Sequence, residues 1–192
     1  DVGLILDKEC RYFVDAFLNG YLALAVDLYE GEVAEDRETA RALATRAREQ
    51  TERGAENMRQ ALAYVRRELG AETVGVIGWC FGGGWSLATA LDQPDGIDAT
   101  VIYYGRLTTD PAELEALASP VLGIFGELDG GIPLETVREF EAALESLGKE
   151  ASIHVYEGAD HAFANPSGTR YVAEAAEDAW AKTVAFFAEH LG

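Results

Sequence analysis

One segment, Gly75-Val76-Ile77-Gly78-Trp79-Cys80-Phe81-Gly82-Gly83-Gly84, restricts the possible folds of this chain more than any other. An apolar run from Val74 to Ile77 ends in a tight Gly-x-Cys-x-Gly turn, and a helix-like segment from Trp85 to Leu91 follows the turn. A strand, a sharp turn and a helix in this order are typical of a nucleophile elbow, with cysteine where serine is more common. The segment therefore predicts that Cys80 stands at the top of a sheet.

The residues around Cys80 fit this interpretation. Gly78 and Gly82 lie two positions before and after the cysteine, where a side chain would collide with neighbouring backbone. The helix that follows directs free N–H groups and the positive end of its dipole toward the sulfur, which favours a thiolate. The alternative is a buried structural cysteine in a tight connection between a strand and a helix.

Composition limits the classes of protein to consider. A chain of 192 residues, 48% hydrophobic, can bury one substantial core, so we expect one domain over residues 1–192. The sequence contains no apolar stretch of membrane-spanning length and no visible signal peptide. The formal net charge of −19 argues against nucleic-acid binding, which requires a positive field. Such an acidic, lysine-poor surface fits either a salt-rich cytoplasm or an ordinary acidic enzyme.

The two cysteines, Cys10 and Cys80, are too few for a disulfide framework in a chain of this length. No His/Cys cluster has the spacing of a zinc site, so we expect no metal. This usage of cysteine favours a reducing compartment and hence a cytoplasmic location.

Strand-like and helix-like segments alternate along the chain. This alternation predicts an α/β fold with a mostly parallel sheet and helices on both faces. The predicted strands are five: Tyr21–Val26, Val74–Ile77, Asp98–Tyr104, Val121–Phe125 and Ala151–Tyr156. Helical spacing is found in Leu4–Leu18, in Glu35–Leu69 with a division at Gly54, in Trp85–Leu91, Pro111–Leu117 and Leu134–Leu147, and in Arg170–His190.

Reactive side chains follow three successive predicted strands: Cys80, then Asp129, then His161. Ligands bind at the carboxyl ends of strands in such sheets, and nucleophile, acid, histidine is the chain order of α/β-hydrolases. His154 lies within a predicted strand and His190 on the terminal helix, so His161 is the candidate base.

Two other carboxylate residues are alternatives to Asp129 as the acid. Glu127 is the nearest substitute for Asp129. Asp160 is adjacent to His161, and adjacent side chains in an extended segment point apart, so it is predicted to be a loop residue.

The remaining site candidates are groups that would contact the substrate. The elbow geometry assigns one oxyanion-hole donor to the backbone N–H of Phe81. Candidates for lining a substrate pocket are aromatic, although aromatic packing is the alternative for each of them: Trp79, Phe81, Tyr103, Tyr104 and Phe163.

With these residues identified, the chain resembles the dienelactone hydrolase family, the α/β-hydrolase branch that uses a Cys-Asp-His triad. The resemblance extends from about Gly20 to the C-terminus. It rests on the Gly-x-Cys-x-Gly-Gly elbow, on Asp129 and on Gly158-Ala159-Asp160-His161-Ala162-Phe163. Further matches are Gly20-Tyr21 through Asp27-Leu28-Tyr29, Tyr103-Tyr104-Gly105, Asn165-Pro166-Ser167 and Arg170-Tyr171.

The resemblance implies hydrolysis of small carboxylic esters or lactones without a cofactor. Cys80 would attack the carbonyl and form a thioester acyl-enzyme. His161 would accept its proton and later activate water, and Asp129 would orient His161. A thioesterase differs only in the leaving group, and a redox-sensing or partner-binding relative with a reactive Cys80 is the alternative from another class.

The sequence departs from the family pattern in two places. Family members carry an earlier strand with a regulatory glutamate, and the best register puts the glycine of that loop at Gly3, so the glutamate would precede Asp1. Either the chain is truncated at its N-terminus, which would permit a segment-swapped homodimer instead of a monomer, or Val2–Leu6 is a compressed version of that strand. Ala162 and Asn165 replace the serine and arginine of dienelactone-cleaving members.

Overall fold

A six-stranded parallel sheet is the framework of the protein. The computed structural model describes residues 2–5 and 20–192, and the strand order in the sheet is β2-β1-β3-β4-β5-β6. Every neighbouring pair of strands is parallel. The strands are β1 (Val2–Ile5), β2 (Leu22–Ala25), β3 (Val74–Trp79), β4 (Ala99–Tyr103), β5 (Val121–Gly126) and β6 (Ala151–Tyr156).

The first strand was not among the five that the sequence predicts. Val2–Ile5 lies between β2 and β3 and pairs with both of them. The helix predicted from Leu4 is therefore wrong at its start, and the rest of it, to Leu18, lies outside the described residues. Gly3 lies within the strand, paired with Gly75, and not in a loop.

Helices cover both faces of the sheet, as predicted. They are α1 (Arg37–Glu49), α2 (Thr51–Arg67), α3 (Phe81–Asp92), α4 (Pro111–Leu114), α5 (Leu134–Ser146) and α6 (Ala173–His190). On one face, α2, α3 and α5 contribute Met58, Leu62, Val65, Leu87, Phe140 and Leu144 to a buried cluster. On the other face, Ala176, Ala179 and Phe187 of α6 pack with Ile77, Val101 and Ile124.

The long predicted helix divides at Gln50 and not at Gly54. Gln50 ends α1, with φ −103° and ψ 47°, and α2 begins at the next residue. Gly54 lies inside α2 for a different reason. A Cβ atom at this position would approach Cη2 of Trp85 to 2.3 Å, so the glycine permits close contact between α2 and the indole.

Gly54→Ala is expected to lower the free energy of unfolding. The substitution improves helix propensity by about 1 kcal/mol, but the new methyl overlaps the Trp85 ring, and overpacking of this kind costs about 1–3 kcal/mol. In a Trp85→Leu background the overlap disappears, so the same substitution should stabilise the protein. Urea unfolding of the four proteins measures the two effects. An equal effect of Gly54→Ala in both backgrounds would contradict the contact.

Candidate active site

The turn at Cys80 has the geometry that the elbow pattern predicts. Cys80 has φ 54° and ψ −112°, a left-handed conformation that is strained for a residue with a side chain. It follows β3 directly and precedes the first residue of α3. A Cβ atom at Gly78 would lie 2.2 Å from the carbonyl oxygen of Gly82, so glycine is required at that position.

Backbone groups fix the elbow and leave one donor next to it. The N–H of Cys80 donates to the carbonyl oxygen of Tyr103 on the neighbouring strand, at 3.0 Å. Phe81 is the first residue of α3, where a backbone N–H has no intrahelical acceptor. A role of this N–H as an oxyanion-hole donor stays a prediction.

Three side chains from the carboxyl ends of β3, β5 and β6 form a continuous hydrogen-bonded chain. Nε2 of His161 lies 3.0 Å from Sγ of Cys80, and Nδ1 lies 2.7 Å from Oδ2 of Asp129. Asp129 is buried, and its Oδ1 accepts the backbone N–H groups of Gly131 and Ile132 at 2.8 and 3.1 Å. These bonds hold the carboxylate in one orientation toward the imidazole.

The two alternative acids have other partners. Oε2 of Glu127 accepts the N–H of Gly158 at 2.9 Å. Oδ1 of Asp160 accepts the backbone N–H of His161 at 2.6 Å, and its Oδ2 lies 3.3 Å from Nε of Arg170. Both carboxylates therefore bond to the backbone of the loop that carries His161, whereas Asp129 bonds to its ring.

A cavity of about 790 Å³ opens over this chain of side chains. Its volume is in the range that holds small organic ligands. Cys80, His161 and Tyr104 stand at its reactive end, while Arg48 and Arg106 stand at the surface. The other lining residues are Thr51, Phe81, Gly84, Trp85, Leu87, Ala88, Leu91, Leu107, Thr108, Glu113, Gly131 and Ile132.

A family model described as the dienelactone hydrolase family matches residues 7–191. The chain belongs to the dienelactone hydrolase family. Protein usf of Aquifex pyrophilus is 32% identical over 176 residues, which cover 90% of this chain and 76% of that protein. A protein of Escherichia coli O157:H7 with the provisional name carboxymethylenebutenolidase is 31% identical over 188 residues, covering 91% and 69%. A crystal structure from Klebsiella pneumoniae subsp. pneumoniae MGH 78578, provisionally described as a dienelactone hydrolase, has a TM-score of 0.81 at 25% identity and covers 98% and 86%.

Membership of the dienelactone hydrolase family confirms the resemblance that the elbow and strand-end motifs indicate. It also confirms the α/β-hydrolase fold and places the protein among hydrolases of the ester and lactone type. None of the helices in residues 20–192 is both long enough and apolar enough to cross a membrane.

The predicted pocket aromatics fall into two groups. Tyr104 lines the cavity, with its ring 5.2 Å from the ring of His161. Trp79, Tyr103 and Phe163 are almost completely buried and are not among the residues that line this cavity, so a role of these three in substrate binding stays a prediction. The Tyr103 hydroxyl lies 2.7 Å from Oγ1 of Thr183, on the face of the sheet covered by α6.

Several cavity residues were not singled out from the sequence. Leu87, Ala88 and Leu91 come from α3, and Leu107 and Ile132 from loops at the same edge of the sheet. The available signal was the helix after the elbow, which has apolar residues on every side. Such a helix is normally buried all round.

The charge of His161 depends on its two partners. The hydrogen bond to the Cys80 sulfur is the largest cause that raises the pKa of His161 to about 9, and Asp129 contributes in the same direction. Burial acts in the opposite direction. At neutral pH the imidazole therefore carries a proton.

NMR titration can measure these contributions, because the chain has three histidines and their ring signals can be separated. We expect Cys80→Ala and Asp129→Asn each to lower the pKa of His161, since each removes a group that stabilises the imidazolium. Glu127→Gln is the matched control, because Glu127 bonds to Gly158 and should leave the titration unchanged. A His161 titration that is the same in Cys80→Ala and the wild type would contradict the coupling.

Proposed function

We propose that the protein hydrolyses carboxylic esters or lactones with Cys80 as nucleophile, His161 as base and Asp129 as orienting acid. The observation that carries the proposal is the continuous contact from Sγ of Cys80 through the imidazole to a buried carboxylate, at 3.0 and 2.7 Å. A nucleophile, a base and a group that fixes the tautomer of the base are the parts that acyl transfer requires. Family membership supports the same reaction class.

The reaction then proceeds in two halves. The Cys80 thiolate adds to the ester carbonyl, and the Phe81 N–H donates to the developing oxyanion. As the tetrahedral adduct collapses, the C–O bond breaks, and the His161 imidazolium gives its proton to the leaving alkoxide. A thioester remains on Cys80. His161, now neutral, removes a proton from water, the hydroxide adds to the thioester carbonyl, and collapse releases the acid and restores the thiolate.

The proposal also covers the domain organisation, the cellular location and the oligomeric state of the protein. We propose a single hydrolase domain over residues 1–192, since both apolar clusters pack against one sheet. A nucleophilic thiol must stay reduced, which supports a cytoplasmic location. The proposal takes the protein as a monomer or a homodimer.

A sensor of oxidants is the second candidate, because the same thiolate beside a cationic imidazole is prone to form sulfenic acid. Cys80 is partly exposed, so peroxide could reach it. The two functions differ in turnover. An esterase cleaves many substrate molecules per thiol, whereas a sensor is oxidised and does not release acid from an ester.

Cys80→Ala is expected to lower the hydrolysis of p-nitrophenyl acetate by roughly 10³-fold or more, because the covalent route is lost. Iodoacetamide should inactivate the wild type through the same sulfur. Cys10→Ala is the control, since it removes the other thiol of the chain and should keep both the activity and its sensitivity to iodoacetamide. Ester cleavage that persists in Cys80→Ala would contradict the proposed mechanism.

The pH profile should depend on the leaving group. His161 keeps its proton below a pH of about 9 and loses it above, so kcat/KM for an alkyl ester such as ethyl butyrate should fall as the pH rises through this value. p-Nitrophenolate leaves without protonation, and iodoacetamide requires only the thiolate. Both reactions should show no such fall. The same alkaline limb for the alkyl and p-nitrophenyl esters, after correction with Cys80→Ala, would show that His161 is not the general acid.

A further inference from the structure

We propose that the acyl group of the substrate is an extended apolar chain that lies along helix α3, so that esters of medium-chain acids are better substrates than acetates. This inference rests on the proposed function, because it assigns the groups that flank the carbonyl attacked by Cys80. It concerns the part of the cavity that the reaction itself does not use.

The cavity is much longer than the reactive centre. It contains Cys80 and His161 at one end and Leu91, almost at the end of α3, at the other. With a rise of about 1.5 Å per residue, Leu91 lies roughly 15 Å along the helix axis from Cys80. An acetyl group would occupy only the reactive end.

The walls of this extension are largely apolar. Its lining includes Trp85 and Leu87, which are buried, and Leu107 and Ile132, which are partly buried. The charged lining residues Arg48, Arg106 and Glu113 are exposed. A chain of CH₂ groups in contact with these walls would lose its exposure to water, and each buried CH₂ favours binding.

Two small residues on one side of α3 line the extension. Gly84 and Ala88 follow Cys80 at intervals of four residues, so they lie on the same side of α3 one and two turns after the nucleophile. Both line the cavity, and Ala88 is exposed to solvent within it. A larger side chain at Ala88 would therefore fill the groove without disturbing the buried core.

The direction of proton transfer assigns the acyl group to this extension. The leaving oxygen must be close to Nε2 of His161 to receive its proton, so the leaving group lies on the side of Cys80 that faces β6. The oxyanion is held at the start of α3 by the Phe81 N–H. The remaining substituent of the carbonyl, the acyl chain, is thereby directed away from His161 and along the helix.

The experiment compares p-nitrophenyl acetate, butyrate, octanoate and palmitate, each below its micelle concentration. We expect kcat/KM to rise about two- to fourfold for each added CH₂ up to octanoate, as buried CH₂ groups contribute, and then to level off. Ala88→Leu should remove most of this gain, so that the ratio of kcat/KM for the octanoate to kcat/KM for the acetate falls toward one. Ala142→Leu, the same change at an exposed alanine of α5, is the matched control and should keep the wild-type profile.

Three outcomes would overturn the proposal. The first is a rate that falls steadily from acetate to octanoate. The second is a gain with chain length in a series of alkyl acetates but not in the acyl series, which would place the alcohol along α3. The third is a preference for a short acidic acyl group, such as a succinate monoester over the butyrate, which would assign selection to Arg48 and Arg106. Failure of the proposed function is separate, since it would appear as ester cleavage by Cys80→Ala.

Discussion

The structure depends on one steric constraint, the reversal of the chain at Cys80 between a fully buried strand and the start of a helix. The backbone there is left-handed at a residue that has a side chain, and it is held by the bond from the Cys80 N–H to Tyr103. The turn is possible only because Gly78 has no Cβ to meet the carbonyl of Gly82. Since all neighbouring strands are parallel, the ends of β3, β5 and β6 lie at the same edge. His161 there reaches the sulfur of Cys80, and Asp129 reaches the ring of His161.

The sequence was informative where one residue type at one position carries the chemistry. Cys80, Asp129 and His161 each follow a strand, in a chain order that few folds use, and the structure brings these three together. The sequence was not informative about which of two adjacent aromatic residues lines the cavity. Tyr103 ends β4 and is buried in the core, whereas Tyr104, the next residue, has φ 36° and lines the cavity. The two tyrosines look the same in the sequence.

The fold class and most elements could be predicted from alternating strand and helix patterns, but two errors have specific physical causes. Val2–Ile5 is a short strand paired with β2 on one side and β3 on the other, and a run of four apolar residues has no periodicity that separates it from a helix. Gly54 was interpreted as a helix break because glycine is a poor helix former. Its role is a contact with Trp85, a residue that follows it by 31 positions and belongs to another helix.

The position of β1 has a consequence for how the two sides of the cavity are connected. Strand β2 is at the edge of the sheet, and its neighbour there is β1. The segment after β2 carries Tyr29, whose ring stacks on Phe81 at 6.3 Å, and then α1, which contributes Arg48 to the cavity. Cys80, Asp129 and His161, in contrast, follow β3, β5 and β6, which are joined through β4 without β1. The backbone hydrogen bonds of a strand of four residues thus join the part of the sheet that leads to Arg48 to the part that leads to Cys80.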